Sequence, residues 1–176
     1  MNRFQTAVAT ISVVLLTVPA NAARPARQSD EWNVYLRRTG GIRFSMSVAQ
    51  AARAGIRLTG APGRGCGFAR IISDPVGLRF MIEDGRIVRV DVDSTGIRTA
   101  SGAEVGMTEE QIKAMYPGRI TTQPHKYTGP EGHYLVYTPV DSADQNYRVI
   151  FETDGKVVTT FRAGIRPAVE YVEGCS

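Results

Sequence analysis

Hydrophobic and polar positions follow a helical period in two places along the chain. Residues 44–50 match residues 105–111, because each segment has Met, then Ser or Thr, and a Gln three residues after the hydroxyl side chain. That spacing is a capping box, in which the hydroxyl accepts a backbone hydrogen bond while the Gln side chain reaches back to the cap. Ser47 and Thr108 are therefore the predicted N-caps of two short helices.

Segments with alternating or continuous apolar side chains follow each helix and are predicted strands. They cover residues 67–72, 78–83 and 86–92 in the first half, 134–138, 147–152 and 156–161 in the second half, and 168–172 near the end. Asp84-Gly85 and Asp154-Gly155 each separate two such segments. These dipeptides predict two-residue hairpin turns of type I′.

The pattern predicts an α+β fold made of two repeated helix–antiparallel-hairpin units, residues 42–98 and 99–176. We expect the units to share one mainly antiparallel sheet, with the apolar helix faces packed on one side of it. Residues 23–41 lie outside the repeat. Within them, Ser29 is a candidate cap for a short helix carrying Trp32, and an edge strand is the alternative.

The first 22 residues have the pattern of a secretory signal peptide. Arg3 is followed by an apolar run over residues 7–18 and by Ala20-Asn21-Ala22, the small-x-small pattern of a cleavage site. No later segment is long and apolar enough to span a membrane. We therefore expect a periplasmic or secreted protein. In that oxidising compartment, Cys66 and Cys175 are expected to form one structural disulfide.

Gly106-Met107-Thr108-Glu109-Glu110-Gln111 resembles the Gly-Met-Thr-x-x-Gln helix start of the SmpA/OmlA outer-membrane assembly lipoproteins. The helix start, the hairpin and the tandem arrangement over about residues 41–175 also resemble the β-lactamase inhibitor protein fold. The chain departs from both families, since no lipidated cysteine follows the signal and the disulfide would join the two units. The resemblance implies extracytoplasmic protein–protein binding.

Charge and candidate chemistry change this picture little. The formal net charge is +4, with basic residues scattered among acidic ones, so nucleic acid is not an expected partner. His125 and His133 flank Glu131 in one loop, but their spacing matches no common zinc motif. We therefore predict no metal, no cofactor and no catalytic residue.

The most promising binding surface is rich in tyrosine and carries a few basic side chains, a composition typical of recognition sites. Its members are His125, Lys126, Tyr127, His133, Tyr134, Tyr137 and Tyr147. The leading hypothesis is an exported, non-enzymatic binding protein of the bacterial envelope, acting as an inhibitor or an assembly partner of another protein. A carbohydrate-binding, lectin-like module is the first alternative, and a small secreted hydrolase is the second.

Overall fold

The computed structural model describes residues 32–72 and 77–175. The predicted signal peptide and the candidate cap Ser29 lie outside these residues. Eleven strands are present in the described part of the chain. They are β1 (Val34–Tyr35), β2 (Arg38–Thr39), β3 (Ile42–Arg43), β4 (Leu58–Thr59), β5 (Cys66–Ile71), β6 (Arg79–Glu83), β7 (Arg86–Val92), β8 (Ile120–Pro124), β9 (His133–Tyr137), β10 (Tyr147–Thr153) and β11 (Val158–Ile165).

The strands form two sheets. β1, β2 and β3 make a small three-stranded sheet, and the other eight make one large sheet in the order β4-β5-β6-β7-β11-β10-β9-β8. Every pair in the large sheet is antiparallel. Its two halves meet where β7 pairs with β11, so that Val90 lies opposite Ala163 and Asp91 opposite Arg162.

Two short α-helices begin at the predicted caps. α1 spans Val48–Arg53 and α2 spans Glu109–Met115. The Ser47 and Thr108 side chains each accept from the backbone of the Gln three residues later, and each Gln side chain accepts from the backbone of its cap. Both capping boxes are therefore confirmed.

The predicted fold class is wrong, because the chain is mostly antiparallel sheet. α1 and α2 have six and seven residues, and the apolar side chains they bury completely are Ala51 and Ile112. Helices of this length do not provide a broad enough apolar stripe to cover a sheet as a layer. The resemblance between residues 44–50 and 105–111 reflects a shared local capping solution, and it is not sufficient to define a repeated helix–hairpin fold.

Three other predictions need correction. For the segment that contains Trp32 a short helix was favoured over an edge strand, but Val34–Tyr35 forms β1 and pairs with β2, as in the alternative. Residues 168–172 were expected to form a strand, but Ala168–Glu170 is a 3-10 helix. The Asp84-Gly85 turn has positive φ at both residues, as predicted. The second turn is longer than the predicted two residues, since β10 ends at Thr153 and β11 begins at Val158. Within it, the Asp154 carboxylate accepts from Lys156 N and Val157 N, 2.9 Å each.

The front face of the large sheet carries the main core. Its fully buried aromatic side chains are Phe80, Phe151 and Phe161, none more than 1% exposed. The small sheet contributes Val34 and Ile42 to the same apolar cluster. The side chains that alternate with them point to the opposite face, which carries Met81 and Ile150 together with the charged Arg89 and Arg162.

Candidate functional site

A segment after β11 lies across the back face of the large sheet. Residues 166–175, called the strap here, include the 3-10 helix and end at Cys175. The strap residues Val169 and Val172 pack on Tyr134, Val136 and Ile150 of the sheet in a small apolar cluster. Polar side chains of the back face hold the strap as well.

Two buried arginines on the back face bind the strap through its backbone carbonyls. Arg89, 4% exposed, donates from Nη1 to the oxygens of Ala168 (3.3 Å) and Tyr171 (2.7 Å). Arg162, 3% exposed, donates from Nε to the oxygen of Val169 at 2.7 Å. We call Arg89 and Arg162 the arginine clamp.

Each clamp arginine is also paired with a carboxylate on the same face. Arg89 Nε lies 3.0 Å and 3.1 Å from the two oxygens of Asp91, and Arg162 Nη1 donates to Glu152. Burial, together with repulsion from Arg89, lowers the pKa of Arg162 to about 10. The guanidinium therefore stays protonated at neutral pH, and its charge is balanced inside the protein.

The disulfide between Cys66 and Cys175 is present, as predicted. It joins the end of the strap to the first residue of β5, near the edge of the large sheet opposite β8. The strap is thus bonded covalently at one end and continuous with β11 at the other.

The loop between β8 and β9, residues 125–132, is called the tyrosine loop. His125 N donates to Gly132 O at 2.8 Å and Gly129 N donates to His125 O at 3.0 Å, which close the loop into two turns. Gly132 is required there, since a Cβ would lie 2.1 Å from the Thr128 hydroxyl and 2.9 Å from Thr153 O. The loop is therefore ordered by its own backbone.

The His125 ring anchors the tyrosine loop to the back face. Nδ1 accepts from the amides of Tyr127 and Thr128, both at 3.2 Å, so the proton of the neutral ring lies on Nε2. Nε2 lies 3.3 Å from Glu152 Oε2, and the ring stacks on Tyr134 with centroids 4.5 Å apart. Burial and the nearby charge of Arg162 lower the pKa of His125, so the neutral form is favoured.

A salt bridge and a hydrogen bond connect the tyrosine loop to the strap. Glu173 accepts from Lys126 Nζ and, at 2.5 Å, from the Tyr127 hydroxyl. These bonds raise the pKa of both Lys126 and Tyr127. Tyr127 as a whole nevertheless remains 62% exposed. The loop thus presents an aromatic side chain whose far end is fixed.

An open cleft of about 680 Å³ lies between these elements. It is lined by Cys66, Glu83, Lys126 and the strap residues from Tyr171 to Cys175. We call it the strap cleft. Its rim carries charges of both signs, and Tyr127 stands beside it through the bond to Glu173. An exposed aromatic side chain therefore lies next to a cleft that is lined by charged groups.

Four of the seven predicted binding residues lie together here: His125, Lys126, Tyr127 and Tyr134. The other three lie elsewhere. The His133 ring points to the opposite side of the sheet, where Nδ1 is 2.7 Å from Glu109 Oε1. Tyr137 packs on Tyr116 with centroids 4.8 Å apart, and Tyr147 lies under Arg37. Adjacent strand residues face opposite sides of a sheet, which separates His133 from Tyr134.

Glu109 is a buried acid rather than a surface charge at a helix start. It is 5% exposed and accepts from Thr153 Oγ1 at 2.6 Å and from Lys113 Nζ at 3.0 Å. Burial opposes ionisation, but these bonds and the one to His133 outweigh it and lower the pKa of Glu109. The two histidines therefore serve separate networks.

Sequence reasoning missed the arginine clamp and Glu173. Arg89 and Arg162 each interrupt an apolar strand. A charged residue at such a position is also expected where one face of the strand is exposed to solvent. Their one available signal is that each lies among strongly apolar neighbours, in Ile87-Val88-Arg89-Val90 and Phe161-Arg162-Ala163.

Within residues 32–72 and 77–175, no cluster of His, Cys, Asp and Glu could hold a metal ion. No helix in these ranges is long and apolar enough to cross a membrane.

Comparisons of the chain with protein-family models, curated proteins and solved structures found no match. Function is therefore inferred from the geometry of the strap cleft and from the sequence.

Proposed function

We propose that this chain is an exported, non-enzymatic protein that binds another protein of the bacterial envelope through the strap cleft. The observation that carries the proposal is the position of Tyr127. The residue is 62% exposed beside the cleft, while its hydroxyl is held by Glu173. Aromatic side chains at the centre of an interface supply much of the binding energy of protein complexes.

Preorganisation supports the same conclusion. Ordering a loop during association reduces affinity, so a loop that is already ordered binds more tightly. The tyrosine loop is ordered by bonds from His125 to its own backbone and by Glu173 on the strap. The strap is fixed in turn by the disulfide and the arginine clamp.

The charges around the cleft favour a protein partner over a neutral glycan. Lys126, Glu83 and Glu173 line it together, so that acidic and basic groups occur within one site. Complementary charges of both signs give a protein interface its orientation and its selectivity among partners. Export is supported by the signal-like residues 1–22 and fits the disulfide.

A capture experiment tests this function. Residues 23–176, immobilised with the disulfide intact, would be incubated with envelope extract, and bound proteins would be identified by mass spectrometry. Tyr127→Ala removes the ring and is expected to weaken capture of the specific partner on the order of tenfold or more. Tyr127→Phe keeps the ring and removes the hydroxyl bond, so its loss should be smaller.

Val140→Ala is the matched control. Val140 is 70% exposed and lies beyond the opposite end of β9 from the tyrosine loop. Its truncation should leave capture unchanged. Equal recovery by the wild-type protein and Tyr127→Ala would contradict the proposal, and so would recovery of a glycan without any protein.

A further inference from the structure

The outer face of the small sheet carries an arrangement that is distinct from the strap cleft. Val34, Thr39 and Ile42 are buried, and the residues that alternate with them are exposed. The strand register places Tyr35 opposite Arg38, and Arg38 opposite Arg43. One tyrosine and two arginines therefore form a row across three strands.

Two arginines directly opposite each other are unfavourable in an antiparallel pair, because like charges at that position repel. In the described ranges, no carboxylate lies within ion-pair distance of Arg38 or Arg43. Arg38 instead donates to Gly40 O at 3.1 Å and lies 4.1 Å from the centre of the Tyr35 ring. Within the described part of the chain, no neighbouring acid offsets this repulsion.

These arginines line a pocket of about 540 Å³. Its basic side is Arg37, Arg38 and Arg43, and its apolar side is Tyr35, Leu36 and Ala100. The acidic member of the lining is Asp144, which is already bound to Arg37. Among the described residues, the guanidinium groups of Arg38 and Arg43 therefore have no acidic partner in this concave site, which has an apolar wall.

We propose that this pocket binds a phosphate group whose organic remainder lies against Leu36 and Tyr35. A phosphate dianion supplies two negative charges for two guanidinium groups, whereas one carboxylate supplies a single charge. Arginine binds phosphate oxygens through paired N–H donors, and these charge-assisted hydrogen bonds are strong. The pocket is larger than a phosphate ion, which favours a phosphate ester, either soluble or in a lipid headgroup.

A binding site is generally expected to keep a local arrangement that lowers the stability of the folded protein. Natural proteins keep unfavourable pairs mainly where binding requires them, and removing such a pair often raises stability while function is lost. The opposed pair Arg38 and Arg43 should behave in this way. The same reasoning does not extend to Arg37, because Asp144 compensates it.

The experiment is a titration at low salt, followed by isothermal calorimetry and by thermal unfolding. The probes are inorganic phosphate, phenyl phosphate and the dicarboxylate succinate, together with vesicles of phosphatidylcholine with and without phosphatidic acid. The variants are Arg38→Gln and Arg43→Gln. Arg53→Gln, an exposed arginine at the end of α1, is the control with the same charge change.

Phenyl phosphate is expected to bind more tightly than inorganic phosphate, and each pocket variant should weaken binding about tenfold or more. Binding to phosphatidic acid vesicles alone would identify the phosphate of a lipid headgroup as the ligand. Without ligand, Arg43→Gln should unfold at a slightly higher temperature than the wild type, which is a readout that does not depend on the probe.

Three results would overturn the proposal. They are the absence of binding for every phosphate probe at millimolar concentration, an equal loss of binding in Arg53→Gln, and succinate binding as tight as that of phenyl phosphate. The strap cleft is untouched by these variants, so failure here leaves the capture experiment with Tyr127→Ala unaffected.

Discussion

The two faces of the large sheet hold their covering layers by different means. The front face buries phenylalanine and aliphatic side chains against the small sheet and the segments around both helices. The back face holds the strap through two arginines that donate to main-chain carbonyls and through one disulfide. The stabilisation that apolar burial provides grows with the buried area. The hydrogen bonds that hold the strap depend instead on the direction of a few donors and acceptors.

This difference determines where the molecule has room for a ligand. A layer held by close apolar packing has little room for a ligand, because interiors are packed as densely as crystals. The strap is held at a few points, and a cleft remains beside it where Lys126 and Glu173 meet. The back face therefore has room for a ligand between the sheet and its covering segment, whereas the pocket proposed for a phosphate lies on the outer side of the small sheet.

The largest effect is expected on the front face. Phe151 is fully buried and lies 5.7 Å from Phe161 and 6.0 Å from Tyr116 between ring centres. Phe151→Ala should lower the free energy of unfolding by about 3–5 kcal/mol through lost contact and a cavity. Denaturant unfolding followed by circular dichroism measures it. A cost below about 1 kcal/mol would show that the front core does not dominate stability.

The next effect is expected at the arginine clamp. Arg162→Met leaves the Val169 carbonyl without its donor and removes the guanidinium that balances the charge of Glu152, and should cost about 2–4 kcal/mol. Adding Glu152→Gln removes the stranded charge, so the double variant should cost less than the sum of the single variants. Additive costs within about 0.5 kcal/mol would show that the pair is not coupled.

The smallest effect concerns pH. The pKa of His125 is lowered by burial and by Arg162, so the folded protein favours the neutral ring. Its contribution to stability is complete above the ordinary value of 6.5 and is lost as the pH falls from there towards the lowered pKa. Protonation of Nδ1 removes the acceptor for the amides of Tyr127 and Thr128.

Hydrogen exchange of those two amides, measured from pH 8 to pH 5 and corrected for intrinsic rates, checks this expectation. Protection of the Tyr127 and Thr128 amides should fall below pH 6.5, whereas protection of the β10 amides should not. His125→Gln is the control, because it cannot titrate and should remove the pH dependence. Unchanged protection in the wild type would contradict the assigned role of the ring.

Local features of the fold could be predicted from the sequence, and its layering could not. The capping boxes depend on residues three positions apart, so Ser47 and Thr108 were identified correctly. The layering could not be predicted, because only the assembled sheet shows that the two helices are too short to cover it. β8 was missed because its residues are almost all exposed and polar, as is common for an edge strand.

The candidate site was predictable in part for the same reason. His125, Lys126 and Tyr127 are neighbours in one loop, and their composition indicated a binding surface. The partner Glu173 comes from the strap, more than forty residues later in the sequence, and no local pattern connects the two. Residues 168–172 were apolar enough to be predicted as a strand, yet this segment crosses the back face instead of extending the sheet.

The most direct test of the two-face account compares hydrogen exchange in the wild type and in the double variant Cys66→Ser/Cys175→Ser. We predict that the amides of Gly174 and Tyr171, which bond to Tyr171 O and Ala168 O, lose protection first. The strand amides around Phe151, inside the large sheet, should keep their order of protection. Uniform loss across the strap and the sheet, or an unchanged strap, would contradict the account.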